Sequence, residues 1–201
     1  MFSSTVLKHF RELRRYVLNY QYEAGEGVIY FPKAKALMSG VYTHNVNGED
    51  ERSDHNIIPD EGLIYMLGVT MKGSPSNAGT AWYCALHAGT SPPDADVDAD
   101  NYASLYSEIT SATEGWVGNR ILWIGDAVDT INTEVVNDAT PAAFTIVTAS
   151  SLNVNGAALL SVSGRGSQAG TMISAGKFSA TRTLANTDTF NLKYKVDLDA
   201  V

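Results

Sequence analysis

The stretch FNLKYKVDLD, residues 190–199, sets Phe190, Leu192, Tyr194, Val196 and Leu198 in strict alternation with Asn191, Lys193, Lys195, Asp197 and Asp199. A period of two sends the two sets to opposite faces of an extended strand, so one face is buried and the other wet. A helix cannot use this pattern, because at 3.6 residues per turn the same side chains scatter around its surface. Half-buried alternation belongs to antiparallel sheets; parallel strands covered on both faces run apolar throughout.

Further apolar runs of strand length lie in GTAWYCALHAG (79–89) and at 120–124, 144–148, 157–162 and 172–179. Clusters of Gly, Asn, Ser and Thr separate them, and no strand-helix-strand alternation appears. The chain is therefore expected to be mainly β, an antiparallel β-sandwich of jelly-roll or immunoglobulin-like kind. Asn155-Gly156 reads as a tight turn, and 162–171 as a mobile loop or hairpin tip.

Two helices are expected. In residues 4–19, Val6, Leu7, Phe10, Leu13, Val17 and Leu18 fall at helical spacing, with Ser3, Ser4 or Thr5 as cap and a basic opposite face. A second, short helix has Asp60 at its N-cap after Pro59, with Leu63, Met66, Leu67 and Thr70 along one face. Between them, residues 25–54 read as an arm with short extended runs and a highly polar loop. This gives an N-terminal helix and extended arm over 1–55, then a β-sandwich domain with a leading helix over 56–201.

Charge narrows the partners. Fourteen Lys and Arg against 22 Asp and Glu leave the 201-residue chain at −8, a sign that repels a phosphate backbone, so nucleic acid is not an expected partner. A single cysteine allows no internal disulfide and no thiolate metal pair. Lys8, Arg11, Arg14 and Arg15 interrupt the stretch where a signal peptide needs an apolar run, and no window reaches the ~18 apolar residues that span a bilayer. Synthesis in a cytoplasm, with no membrane partner, is the simplest expectation.

No catalytic constellation emerges. Cys84 and His87, three apart on a strand, project to opposite faces and cannot share a proton. DADVDAD places Asp94, Asp96, Asp98 and Asp100 at alternate positions like the opening of a calcium loop, but Ala99 stands at the sixth position and Leu105 at the twelfth. These four are weak metal candidates beside the plainer reading of a solvated loop. His9, His44 and His55 fall in a helix and in loops without metal spacing, and Asp50 and Glu51 sit in a polar run. GRGSQAG lacks the Lys-Ser/Thr pair of a phosphate loop, and Ser163 and Ser167 lack a nucleophile-elbow surround. The expectation is a non-enzymatic protein without a cofactor. Its candidate partner-binding residues are Leu7, Phe10, Arg11, Leu13, Arg14 and Arg15. Trp82, Tyr83, Trp116 and Trp123 are an alternative, a stacking platform for carbohydrate.

The order of motifs adds a resemblance. An EGL helix (Glu61 to Leu63), an aromatic-pair strand (Trp82, Tyr83), a G-A-x-L strand (Gly156 to Leu160), F-S-x-x-R-x-L (Phe178 to Leu184) and D-T-x-x-x-x-Y (Asp188 to Tyr194) follow one another. Over 56–198 the chain resembles structural proteins of tailed-bacteriophage virions. It departs at Asn186-Thr187, where such proteins tend to have a glycine before the Asp. The resemblance implies a virion β-sandwich present in many copies. A capsid decoration or cement protein is expected, bound through the N-terminal helix and arm to the major capsid protein or another virion protein, and to neighbouring copies. A homo-oligomer, a trimer, is expected from the three-fold positions such proteins occupy. A tail, neck or fibre-associated protein is the alternative location.

Overall fold

The computed structural model describes residues 23–25, 28–30, 36–72, 81–129 and 131–200. Among them the chain forms β1 (Glu23–Gly25), β2 (Val28–Tyr30), β3 (Ala36–Val46), β4 (Glu49–His55), α1 (Asp60–Lys72), β5 (Trp82–His87) and α2 (Tyr102–Leu105). There follow β6 (Gly115–Trp116), β7 (Ile121–Trp123), β8 (Glu134–Val135), β9 (Ala142–Val147), β10 (Leu152–Leu160), β11 (Met172–Leu184) and β12 (Thr189–Ala200). Two compact units result, residues 1–37 with 199–201, and residues 38–198. In the first, β1 and β2 pair antiparallel. The helix expected over 4–19 lies outside the described residues, and with it Leu7, Phe10, Arg11, Leu13, Arg14 and Arg15.

The second unit is an antiparallel β-sandwich. One sheet runs β4-β3-β12-β9-β6, with β8 also pairing β12, and the other runs β11-β10-β5-β7. The alternation that marked β12 has its expected consequence: Phe190, Leu192 and Tyr194 are buried against Phe144 and Ile146 of β9 and Tyr42 of β3. Facing them are Cys84 and Leu86 of β5, Leu159 of β10 and Phe178 of β11. Each such side chain taken from water contributes roughly 1.5–3 kcal/mol before conformational entropy is counted.

The four-stranded sheet is covered on its other face as well. Ala85, Ala158, Leu160, Met172 and Ala175 form a second core with Val97, Ala99, Tyr102 and Tyr106 from the segment around α2. Small alanines on β5, β10 and β11 leave room for the two tyrosine rings. Both faces of β5 are thereby buried, which explains why its run reads as nearly continuous apolar sequence rather than clean alternation.

The structure moves the sandwich boundary forward. Residues 36–55, assigned from sequence to an arm, are the β3–β4 hairpin of the larger sheet. Its turn is Asn47-Gly48, both with positive φ (55° and 83°), as a two-residue hairpin with a right-handed strand twist requires. β4 reads as a polar loop because it is an edge strand, where charged residues discourage pairing with another sheet. Asn155-Gly156 is no turn; it lies within β10 at a break in register with β11. The segment 162–171 does connect the β10–β11 hairpin, but it is anchored, as described below. On α1 the packed side is Gly62, Tyr65 and Met66, whereas Leu63 and Leu67 point to solvent.

Candidate interaction surface and buried polar networks

Glu61, in the first turn of α1, is the clamp of the EGL motif. Its Oε2 accepts hydrogen bonds from the backbone N–H of Ala99 (2.9 Å) and of Met172 (2.8 Å), tying the helix to the acidic turn and to β11. Gly62 follows because a Cβ there would stand 2.9 Å from the carbonyl oxygen of Ile173: the helix rests backbone to backbone on the sheet. The acidic turn itself is built by local caps. Asp94 Oδ1 accepts from Asp96 N–H, while Asp98 and Asn101 each accept the other's backbone N–H. The carboxylates of Asp94 and Asp98 are spent on these bonds, and no cluster of three or more metal-ligating side chains occurs among the described residues.

Among the buried polar networks that hold the sandwich, two centre on charged groups, and neither is apparent in the sequence. Arg120 and Glu108 form a fully buried bidentate pair, both contacts at 2.8 Å. Arg120 also donates to the carbonyls of Val162 and Ser167, and Glu108 accepts from Gly166 N–H. Arg165 donates to the carbonyls of Ser111 and Trp116 and lies over the Trp116 ring. With Thr171 N–H donated to Ser161 Oγ, the loop 162–171 is fastened at both ends and in its middle.

The second network centres on His44, which sits buried on β3 rather than in a loop. Arg182 Nε donates to its Nδ1 (3.0 Å), so the ring proton is on Nε2 and is donated to Asp54 Oδ2 (3.0 Å). Asp54 in turn accepts from Ser179 N–H, and Arg182 also reaches Asp50. Burial is the main reason the His44 imidazole is less basic than usual; the neighbouring Arg182 adds to this, and Asp54 opposes it. The arrangement superficially resembles a catalytic Asp-His pair, yet an arginine occupies the place of the nucleophile and the ring is sandwiched against Phe178 and Phe190. The F-S-x-x-R-x-L motif therefore supplies a core aromatic, a backbone donor and the arginine of one structural network.

Cys84 and His87 do face opposite ways. Cys84 lies in the inter-sheet core, where burial pushes its thiol well above the ordinary range. His87 is enclosed in the outer layer, edge-on to Tyr102 and Tyr106, and its Nε2–H donates to the Gly176 carbonyl. Of the four aromatics considered for carbohydrate, Trp116 is buried with its indole N–H donated to the Asn119 carbonyl, so it offers no stacking face. Trp82 and Trp123 are half-buried; with Tyr65, Ile173, Tyr194 and Val196 they line an apolar cavity of about 280 Å³.

The surface the sequence did not foretell is the outer side of α1. Leu63, Ile64 and Leu67 are 42%, 69% and 62% exposed, and a Cβ at Gly68 would meet nothing within 4 Å. Periodicity sets Leu63, Met66, Leu67 and Thr70 along one face, but α1 is apolar on both sides, and the pattern alone does not say which side the sheet takes. Asp60 is exposed in the first turn of this helix, and its N–H donates to the Ala95 carbonyl, which brings the turn carrying exposed Asp94, Asp96 and Asp100 to the helix's N-terminal end. No described helix is long and apolar enough to cross a membrane. No known protein-family model and no curated protein matches the chain.

Proposed function

We propose that the protein is a non-enzymatic structural component of a tailed-phage virion. Its place is on the capsid as a decoration or cement protein, attached through the N-terminal segment and through neighbouring copies. The observation that carries this reading is the ordered set of motifs over 56–198, supported by the structural work that four of the five do. Glu61-Gly62 seats the helix, Gly156 accommodates His87, Phe178 to Leu184 builds the His44 network, and Asp188 accepts from Ala185 N–H beside the last strand. Charge supports an attachment role for the N-terminus. Residues 1–37 hold six Lys and Arg against three Asp and Glu, whereas residues 38–201 hold eight against nineteen. A basic segment on an acidic body suits docking to an acidic protein surface, that of the capsid or of a neighbouring copy.

Electron microscopy and quantitative mass spectrometry of the virions encoded with this gene test the proposal. Stoichiometric density on the head is the expected result; density on the tail or neck would move the protein there, and absence from purified particles would overturn the reading. Deleting residues 1–19 is expected to abolish incorporation while leaving the sandwich folded. The mass of the purified protein measures the oligomer, for which we propose a trimer.

A further inference from the structure

We propose that the outer face of α1 receives the basic N-terminal segment, residues 4–19, of a second copy. This specifies the contact between neighbouring copies and rests on that part of the proposed function. A helix apolar on both sides is one that is covered on both sides, and the sandwich covers only the Gly62, Tyr65 and Met66 side. Leu63, Ile64 and Leu67 present three large apolar side chains in adjacent turns, and the open position at Gly68 lets another helix approach closely.

The charge around that face selects the occupant. Exposed Asp60 lies one turn before Leu63 and Ile64 on that side of the helix, and the turn bearing exposed Asp94, Asp96 and Asp100 meets the helix's N-terminal end, in a body that carries eight Lys and Arg against nineteen Asp and Glu. A second copy of the same face would bring like charges together, which opposes symmetric face-to-face pairing. Residues 4–19 have the complementary character: Val6, Phe10, Leu13 and Val17 recur at helical spacing, and Lys8, Arg11, Arg14 and Arg15 lie beside and behind that stripe. Exchange of such segments between copies gives a head-to-tail contact, which closes into a ring when the rotation between copies allows.

The test uses the full chain. Sedimentation equilibrium of the wild type is expected to show self-association that weakens at high salt. Ile64→Asp/Leu67→Asp and, separately, Arg11→Glu/Arg14→Glu are each expected to weaken association at least tenfold, with thermal melts unchanged because all four sites lie outside the described core. An equimolar mixture of the two variants is expected to regain hetero-association, since one still offers the segment and the other the face. A wild type that stays monomeric, a face variant that associates like wild type, or a mixture that stays dissociated overturns the inference. Particle incorporation is read independently: a monomeric protein found stoichiometrically on virions would overturn this contact and leave the virion role standing.

Discussion

Gly156 lies directly beneath the imidazole of His87, so close that a Cβ on it would overlap both the ring Nε2 and the carbonyl oxygen of Gly176. Neither neighbour has room to yield, since His87 is fully buried and Gly176 is itself pressed against Tyr42. Gly156→Ala is therefore expected to destabilise the protein by about 3 kcal/mol in urea unfolding, the upper end of overpacking costs. In an ordinary strand the same change would stabilise by about 0.5–1 kcal/mol, so the sign alone discriminates.

The Arg120–Glu108 pair yields an asymmetric expectation. Arg120→Met strands a buried carboxylate and should cost about 3–5 kcal/mol. Glu108→Leu/Arg120→Met should cost less than the single change, because no charge is left unpaired, although Gly166 N–H loses its acceptor. Comparison of urea midpoints for the two variants checks this.

Acid is expected to weaken the fold in two stages. His44 and His87 are held less basic than the ordinary value near 6.5, chiefly by burial, so the unfolded chain binds protons that the folded chain refuses. Stability is thus full above about pH 6.5 and declines as pH falls through that value towards the depressed ones. Asp50, held down by its bonds to Arg52 and Arg182, and Asp188, held down by Ala185 N–H and Asn47, add a further loss below about pH 4. Unfolding midpoints across pH, with His44 ring resonances followed by NMR, measure both; a His44 that titrates at the ordinary value would contradict the first stage.

Thr187 occupies the position where the resemblance anticipates glycine, and it does so at φ 72°. A β-branched residue in the left-handed region costs about 1–2 kcal/mol, partly offset in comparison with glycine by the latter's greater unfolded-state entropy. Thr187→Gly is expected to raise stability by about 0.5–1 kcal/mol, read as an upward shift in melting temperature.

Two Asn-Gly dipeptides show what the sequence disclosed and what it withheld. Asn47-Gly48 is a hairpin turn, while Asn155-Gly156 sits inside a strand because His87, far away in the chain, needs the space that a side chain would fill. Local pattern is the same in both, and only tertiary neighbours separate them. Strands such as β12 were legible because one face is buried and the other wet; β4 was not, because an edge strand has little apolar alternation to display. The His44 network escaped for a similar reason, its key donor Arg182 being 138 positions away. DADVDAD is legible as a loop, but the use of Asp94 and Asp98 as caps depends on backbone geometry that residue types do not encode.

Strand order carries a consequence for synthesis. β3 lies between β4 and β12, so the middle of the larger sheet joins residues near 40 to residues near 190. On the ribosome the β3–β4 hairpin emerges early and waits, one edge unfilled, until the last strand of the sandwich has been made. Such long-range closure is slow and leaves a pairing edge open meanwhile. The charged residues of β4 guard one side of that hairpin from the start; the other side is protected only when β12 arrives.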